Sequence, residues 1–181
     1  ALEFAHAEIR RICDVIIQLR ARCGKPKRTF AVPAVPDGLR EAVAAFVKQI
    51  AALSLSEWEE LSTRTLDLSP AAAPYIGFQV WGESYQRGEF MARLNRVMAE
   101  MDVDPEGELP DHIVPVLRYL DAADQPVPEL LQNFEPAVNR MIGILREKDK
   151  SNPYLHLFGA ALKLVHPLTA RNNASEQSMS F

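Results

Sequence analysis

Two short stretches carry the side chains best able to do chemistry together. WGESYQRGEFM, Trp81 to Met91, holds Glu83 and Arg87 four residues apart. ELPDHIVPVLRYLD, Glu108 to Asp121, opens on Glu108, Pro110, Asp111 and His112 ahead of an apolar run. Carboxylates beside a histidine are raw material for acid–base work, and the same groups can equally hold a basic or polar ligand. Each also has a plain structural use. Pro110 suits the first turn of a helix, where its missing N–H costs nothing, and Asp111 favours the positive helix N-terminus. Glu83 and Arg87 can pair along a helix for about 0.3–0.5 kcal/mol.

Aromatic residues lie just upstream. Tyr75, Phe78 and Trp81 are three apart and Tyr85 follows four later, which on one continuous helix gives a single aromatic face. Such a stripe offers large contact area at low entropic cost, and core packing is its plain alternative. Gly82 and Gly88 would each cost about 1 kcal/mol inside a helix. They make sense where a backbone is approached closely or the helix breaks. From the residues alone the plain reading is a capped helix with a solvated His112; a peptide-binding groove built from them is what the resemblance given below implies. The aromatics supply area, Glu108 and Asp111 supply negative charge for a basic segment, and His112 exchanges hydrogen bonds with a peptide backbone. On that reading, alanine at Asp111 and His112 weakens peptide binding and leaves helicity and melting temperature nearly unchanged.

The elements that must position these residues read as helices throughout. Apolar residues recur at helical spacing over 2–22, with Leu2, Ala5, Ile9, Ile12, Cys13, Ile16 and Leu19 on one face. A proline- and glycine-bearing loop follows from Cys23 to Gly38. Asp37 is placed to cap a helix bearing Leu39, Val43, Phe46, Val47, Ile50 and Leu53. Ser56 and Glu59 have capping-box spacing for a short helix that buries Trp58 and Leu61. Stripes follow at Phe90, Leu94, Val97, Met98 and Met101, and at Ile113, Val116, Leu117 and Leu120, with Pro115 in that helix's first turn. Another runs through Leu130, Leu131, Phe134, Val138, Met141, Ile142 and Leu145, where Pro136 predicts a kink or break. Asn152–Pro153 restarts a helix through Val165. No alternating strand pattern occurs. The expectation is an all-α protein of six or seven helices, one domain over 1–170, and a polar tail over 171–181.

Composition narrows the function classes. At 48% hydrophobic and 24% charged residues, the 181-residue chain is globular rather than disordered. A net charge of −4 offers no footprint for nucleic acid. No apolar run is long enough for a membrane span, and no secretory leader is legible at the start. Cys13 and Cys23 lack zinc or redox-pair spacing, so a reduced, cytoplasmic protein is expected. There is no phosphate loop, G-x-S-x-G elbow or H-E-x-x-H pair. The histidines, His6, His112, His156 and His166, fall on different elements, so no metal site is expected.

WGESYQRGEFM is similar to the H-G-E-S-x-x-R-G-x-x-M segment of the nitrate reductase delta-subunit chaperones. ELPDHIVPVLRYLD resembles the E-x-P-D-[HY] stretch shared by those proteins and the chaperones of trimethylamine N-oxide and dimethyl sulfoxide reductases. EPAVNRMIGILREKDKSNPYLHLFGAAL is a weaker match to that family's closing helix pair. The likeness covers about Pro74 to Val165, half of the chain. Trp81 stands where the nitrate reductase branch often has His, and His112 where it often has Tyr, so a nitrate reductase or a related molybdoenzyme is the implied client. The resemblance implies an all-helical, non-enzymatic chaperone that binds the N-terminal segment of the catalytic subunit. It holds that subunit until molybdopterin is inserted, and in many cases delays twin-arginine export. The molybdopterin cofactor belongs to the client, and the chaperone binds none stably. A monomer or a helix-swapped dimer is implied, with the Cys23–Gly38 loop as a hinge. Two rival readings remain at this point: a general helical adaptor that docks a partner helix, and a small helical enzyme using Glu83, Asp111 and His112.

Overall fold

The computed structural model describes residues 2–25, 34–68 and 72–178; side chains are described from Phe4 through Ala170 of these. The described residues are helical and contain no strand, as the periodicities require. Eight α-helices are present among them: α1 (Leu2–Cys23), α2 (Leu39–Ile50), α3 (Leu55–Ser62), α4 (Ile76–Trp81), α5 (Tyr85–Glu100), α6 (Ile113–Ala122), α7 (Pro128–Lys148) and α8 (Tyr154–Ser178). A π-helical turn, Thr63–Asp67, extends α3. No helix among the described residues is long and apolar enough to cross a membrane.

The chain divides into two compact units, residues 1–34 and 35–181, where the sequence suggested one domain over 1–170. In the first unit the described residues form α1 alone. Its apolar positions Ile9, Ile12, Ile16 and Leu19 are all exposed. Half of the loop expected over Cys23–Gly38, residues 26–33, lies outside the described residues.

The second unit has one core. The stripe of α7 is buried along its length, from Leu130 through Phe134, Val138 and Met141 to Leu145. It packs against α8 and α4. From α5 come Phe90, Leu94 and Met98; from α6 come Ile113, Val116, Tyr119 and Leu120. Pro136 does not divide α7, which runs as a single helix. Pro115 is the third residue of α6 and lacks only an N–H that has no partner there.

Several local expectations differ from the structure for identifiable reasons. Asp37 does not cap α2: Gly38 occupies the N-cap at φ 71° with no side-chain cap. The Asp37 carbonyl instead accepts from Lys163 Nζ. The pattern S-x-x-E occurs twice in SLSEWEE, and the earlier copy is used. Ser54 and Glu57 form the capping box, so α3 begins at Leu55. Trp58, expected to be buried, is 41% exposed, with its indole N–H donating to the Tyr154 hydroxyl. α8 continues as helix through Ser178, past the expected tail boundary at 171; residues 179–181 lie outside the description.

The count rises to eight because the aromatic segment is two helices. Gly82, at φ 62° and ψ −152°, ends α4 in a conformation open essentially to glycine alone. Ser84 then caps α5 by accepting from the Arg87 N–H. Gly88, inside α5, faces open space. Gly82→Ala should therefore cost about 1–3 kcal/mol. Gly88→Ala should stabilise by up to about 1 kcal/mol. Urea unfolding of the two variants checks both signs.

Candidate functional site

The stretch around Gly82 and the stretch before α6 are joined at their backbones. Ile76 N–H donates to the Asp111 carbonyl at 2.7 Å, and Ile113 N–H donates to the Pro74 carbonyl at 2.8 Å. The result is an isolated antiparallel bridge between Tyr75 and His112. Tyr75 is thus the extended residue before α4 and not part of a helical face. Its ring meets His112 edge-on, with centroids 5.0 Å apart.

Arg87 lies at the centre of this junction. Its side chain is buried, and Asp111 is fully buried beside it. Arg87 Nε donates to Asp111 Oδ2 at 2.9 Å and Nη2 to Oδ1 at 3.4 Å, a two-pronged contact across 24 residues of sequence. Nη1 donates to Glu83 Oε1 at 2.8 Å, the pair expected from their spacing. The rings of Tyr75 and Phe78 lie 5.6 and 5.4 Å from the guanidinium carbon, within cation–π range. Burial opposes the charge on Arg87, and the Asp111 hydrogen bond and the two carboxylates outweigh it, so its pKa rises. A Cβ on Gly77 would sit 2.8 Å from Asp111 Oδ2 and 3.2 Å from Arg87 Cγ. Gly77 is therefore the residue that lets α4 lie against the ion pair.

Above the pair is an open cleft of about 410 Å³, lined by Leu66, Asp67, Ala73, Tyr75, Phe78, Glu83, Arg87 and Leu109. Its floor is aromatic and aliphatic. Asp67 and Glu83 are exposed at its edge, and exposed Glu108 accepts a hydrogen bond from the Tyr75 hydroxyl at 3.2 Å. Burial, reinforced by Glu108, raises the Tyr75 pKa, so the phenol stays a donor. Burial lowers the His112 pKa, against the opposing pull of Glu108 and Asp111.

The ten residues singled out from sequence separate into four groups. Tyr75, Phe78, Glu83 and Arg87 line the cleft, with Glu108 hydrogen-bonded to Tyr75. Asp111 does not face a groove: it is the sealed counter-ion of Arg87, because a buried guanidinium requires one. His112 is the N-cap of α6, its Nδ1 accepting from Val114 N–H, and Pro110 lies before the helix rather than in its first turn. Tyr85 leaves the expected aromatic face because Gly82 breaks the helix before it, whereas Trp81 stays on α4 with Phe78. Trp81 tilts against Phe90 at 5.0 Å, and Tyr85 is 80% exposed on the first residue of α5. Sequence reasoning missed Gly77, Leu66, Asp67 and Leu109. A glycine one turn from an aromatic was the available signal for the first. The π-helical turn that carries Leu66 and Asp67 to the cleft leaves no mark in residue spacing.

No family model matches the chain, and no solved structure does. Among curated proteins the similarities are partial. The polyribonucleotide nucleotidyltransferase of Sorangium cellulosum is 45% identical over 49 residues, 27% of this chain and 6% of that protein. Its counterpart in Prosthecochloris aestuarii is 25% identical over 146 residues, 64% of this chain and 19% of that protein. The Chloroflexus aurantiacus protein is 48% identical over 42 residues, 23% of this chain and 6% of that protein. The chain thus spans a fifth or less of the length of these relatives, as the 6% and 19% coverages give.

Two outcomes follow from this geometry. Asp111→Ala leaves a buried guanidinium short of its main partner and should cost about 3–5 kcal/mol in chemical denaturation, replacing the unchanged melting first expected. His112, with its pKa lowered in the fold, binds protons more readily when unfolded. Its contribution is intact above its unfolded pKa, about 6.5, and is lost as pH falls below that value. His112→Asn keeps a capping side chain and should flatten the fall in stability between neutral and mildly acidic pH, read from urea midpoints.

Proposed function

We propose that the chain is a system-specific chaperone that binds the N-terminal segment of a molybdenum-cofactor oxidoreductase catalytic subunit, a nitrate reductase or a relative. It holds that subunit in the cytoplasm until cofactor insertion and assembly are complete. The observation that carries this reading is the Arg87–Asp111 contact, through which the two stretches that resemble the chaperone family meet beneath one open cleft. The role asks for apolar contact area, a few oriented polar groups and negative charge for a basic segment. Phe78, Leu66 and Leu109 supply the first, Tyr75 the second, and Asp67, Glu83 and Glu108 the third. Client binding needs no cofactor in this chain; molybdopterin belongs to the client. The partial likeness to polyribonucleotide nucleotidyltransferases covers too little of those proteins to support a second reading.

A general helical adaptor without a molybdoenzyme client would use the same cleft, and the identity of the partner separates the two. Affinity purification of the tagged chain from its native host should recover a molybdoenzyme catalytic subunit, enriched in its cofactor-free form. Asp67→Lys with Glu108→Lys leaves both counter-ions of Arg87 in place. At up to about 1 kcal/mol per rim charge, the double variant should bind the client roughly tenfold more weakly or worse, with unchanged helicity. Recovery of unrelated partners, or equal binding by the variant, contradicts the proposal.

A further inference from the structure

We infer that α1 pairs antiparallel with α1 of a second copy of this chain. The inference stands apart from the cleft and from the client proposed for it. The described residues of the first unit form one helix of 22 residues and no second element. Ala5, Ile9, Ile12, Ile16, Leu19 and Cys23 lie along it at alternating steps of four and three, the 3.5-residue repeat of a coiled-coil seam. Every seam position is exposed, and Ile9, Ile12, Ile16 and Leu19 lie between 56% and 59% accessible. Most helical stability in proteins comes from packing an amphipathic face, and a continuous apolar stripe calls for a partner.

Charge selects both the partner and its direction. The first third of α1 carries Glu3 and Glu8, and its last turn carries Arg20 and Arg22. In a parallel pair each acidic end faces an acidic end and each basic end a basic one. In an antiparallel pair the acidic start of one copy lies against the basic close of the other, twice by symmetry. One register aligns the whole seam: Ile9 opposite Leu19, Ile12 opposite Ile16, and Ala5 opposite Cys23 of the second copy. The same register sets Glu8 beside Arg22 of the second copy and brings the two Cys13 residues together near the two-fold axis. In the single chain Glu8 pairs with Arg11 at 2.9 Å, and both are exposed, so exchanging that partner costs little. Val15 flanks the seam. Phe4 and Ile17 lie off it and take no part.

The experiment uses the full chain. Sedimentation equilibrium should give twice the monomer mass, and Ile12→Asp with Ile16→Asp should halve it without moving the main thermal transition. A short bis-maleimide should trap a covalent dimer in Cys23→Ala, through Cys13, and should trap none in Cys13→Ala. The trapping leaves the Ile and Leu positions of the seam untouched, so it stands even where the aspartate variant fails to fold. A monomeric mass overturns the inference, as does a dimer that survives both aspartates. Trapping through Cys23 in place of Cys13 overturns the antiparallel arrangement.

Discussion

A single buried guanidinium organises the candidate site. A charge removed from water must be matched by partners fixed in place, and Arg87 has Asp111 below it, Glu83 beside it and two aromatic rings near it. Each partner comes from a different piece of chain. Tyr75 and Phe78 come from the extended residue before α4 and from α4 itself, Glu83 from the bend after Gly82, and Asp111 from the loop before α6. Meeting the demand of one side chain therefore fixes the mutual position of all three pieces. The backbone bridge between Tyr75 and His112, and the missing side chain of Gly77, are the local conditions that let them close so tightly.

That arrangement explains why the cleft above the pair is both acidic at its edge and firm at its base. Arg87 engages buried Asp111 beneath the cleft, while Asp67, Glu83 and Glu108 remain exposed toward solvent. The negative charge left at the rim suits a basic segment. The Phe78 ring is half-buried and lies 5.4 Å from the guanidinium carbon. A binding surface whose aromatic groups are already ordered loses less entropy on binding.

Legibility in the sequence follows physical range. The stripes of α5, α6 and α7 were readable because helical period is a local property, and Phe90, Leu94, Met98, Val116, Leu120 and the α7 series are buried as their spacing requires. The Glu83–Arg87 pair was readable for the same reason. The Asp111–Arg87 pair was not, since nothing local tells a capping carboxylate from a buried counter-ion. The aromatic stripe failed at both ends: Tyr75 stands in extended backbone before α4, and Gly82 admits a backbone conformation that spacing cannot report, so Tyr85 starts a new helix. The capping box moved by two residues because the pattern occurs twice within SLSEWEE, and only packing chooses between the copies. The amphipathic face of α1 was legible as a pattern, but its exposure within a separate unit was not.

The central claim is that the Arg87–Asp111 pair holds the two stretches together as one unit. Amide hydrogen exchange at Ile76 and Ile113, the two donors that tie the stretches, tests it most directly in the wild type and in Asp111→Asn. The account predicts slow exchange at both in the wild type. In the variant, both should accelerate together, and by a larger factor than Met141 and Ile142 in the core of α7. Bridge amides that exchange no faster than in the wild type, or that accelerate only as much as the α7 core, would contradict it.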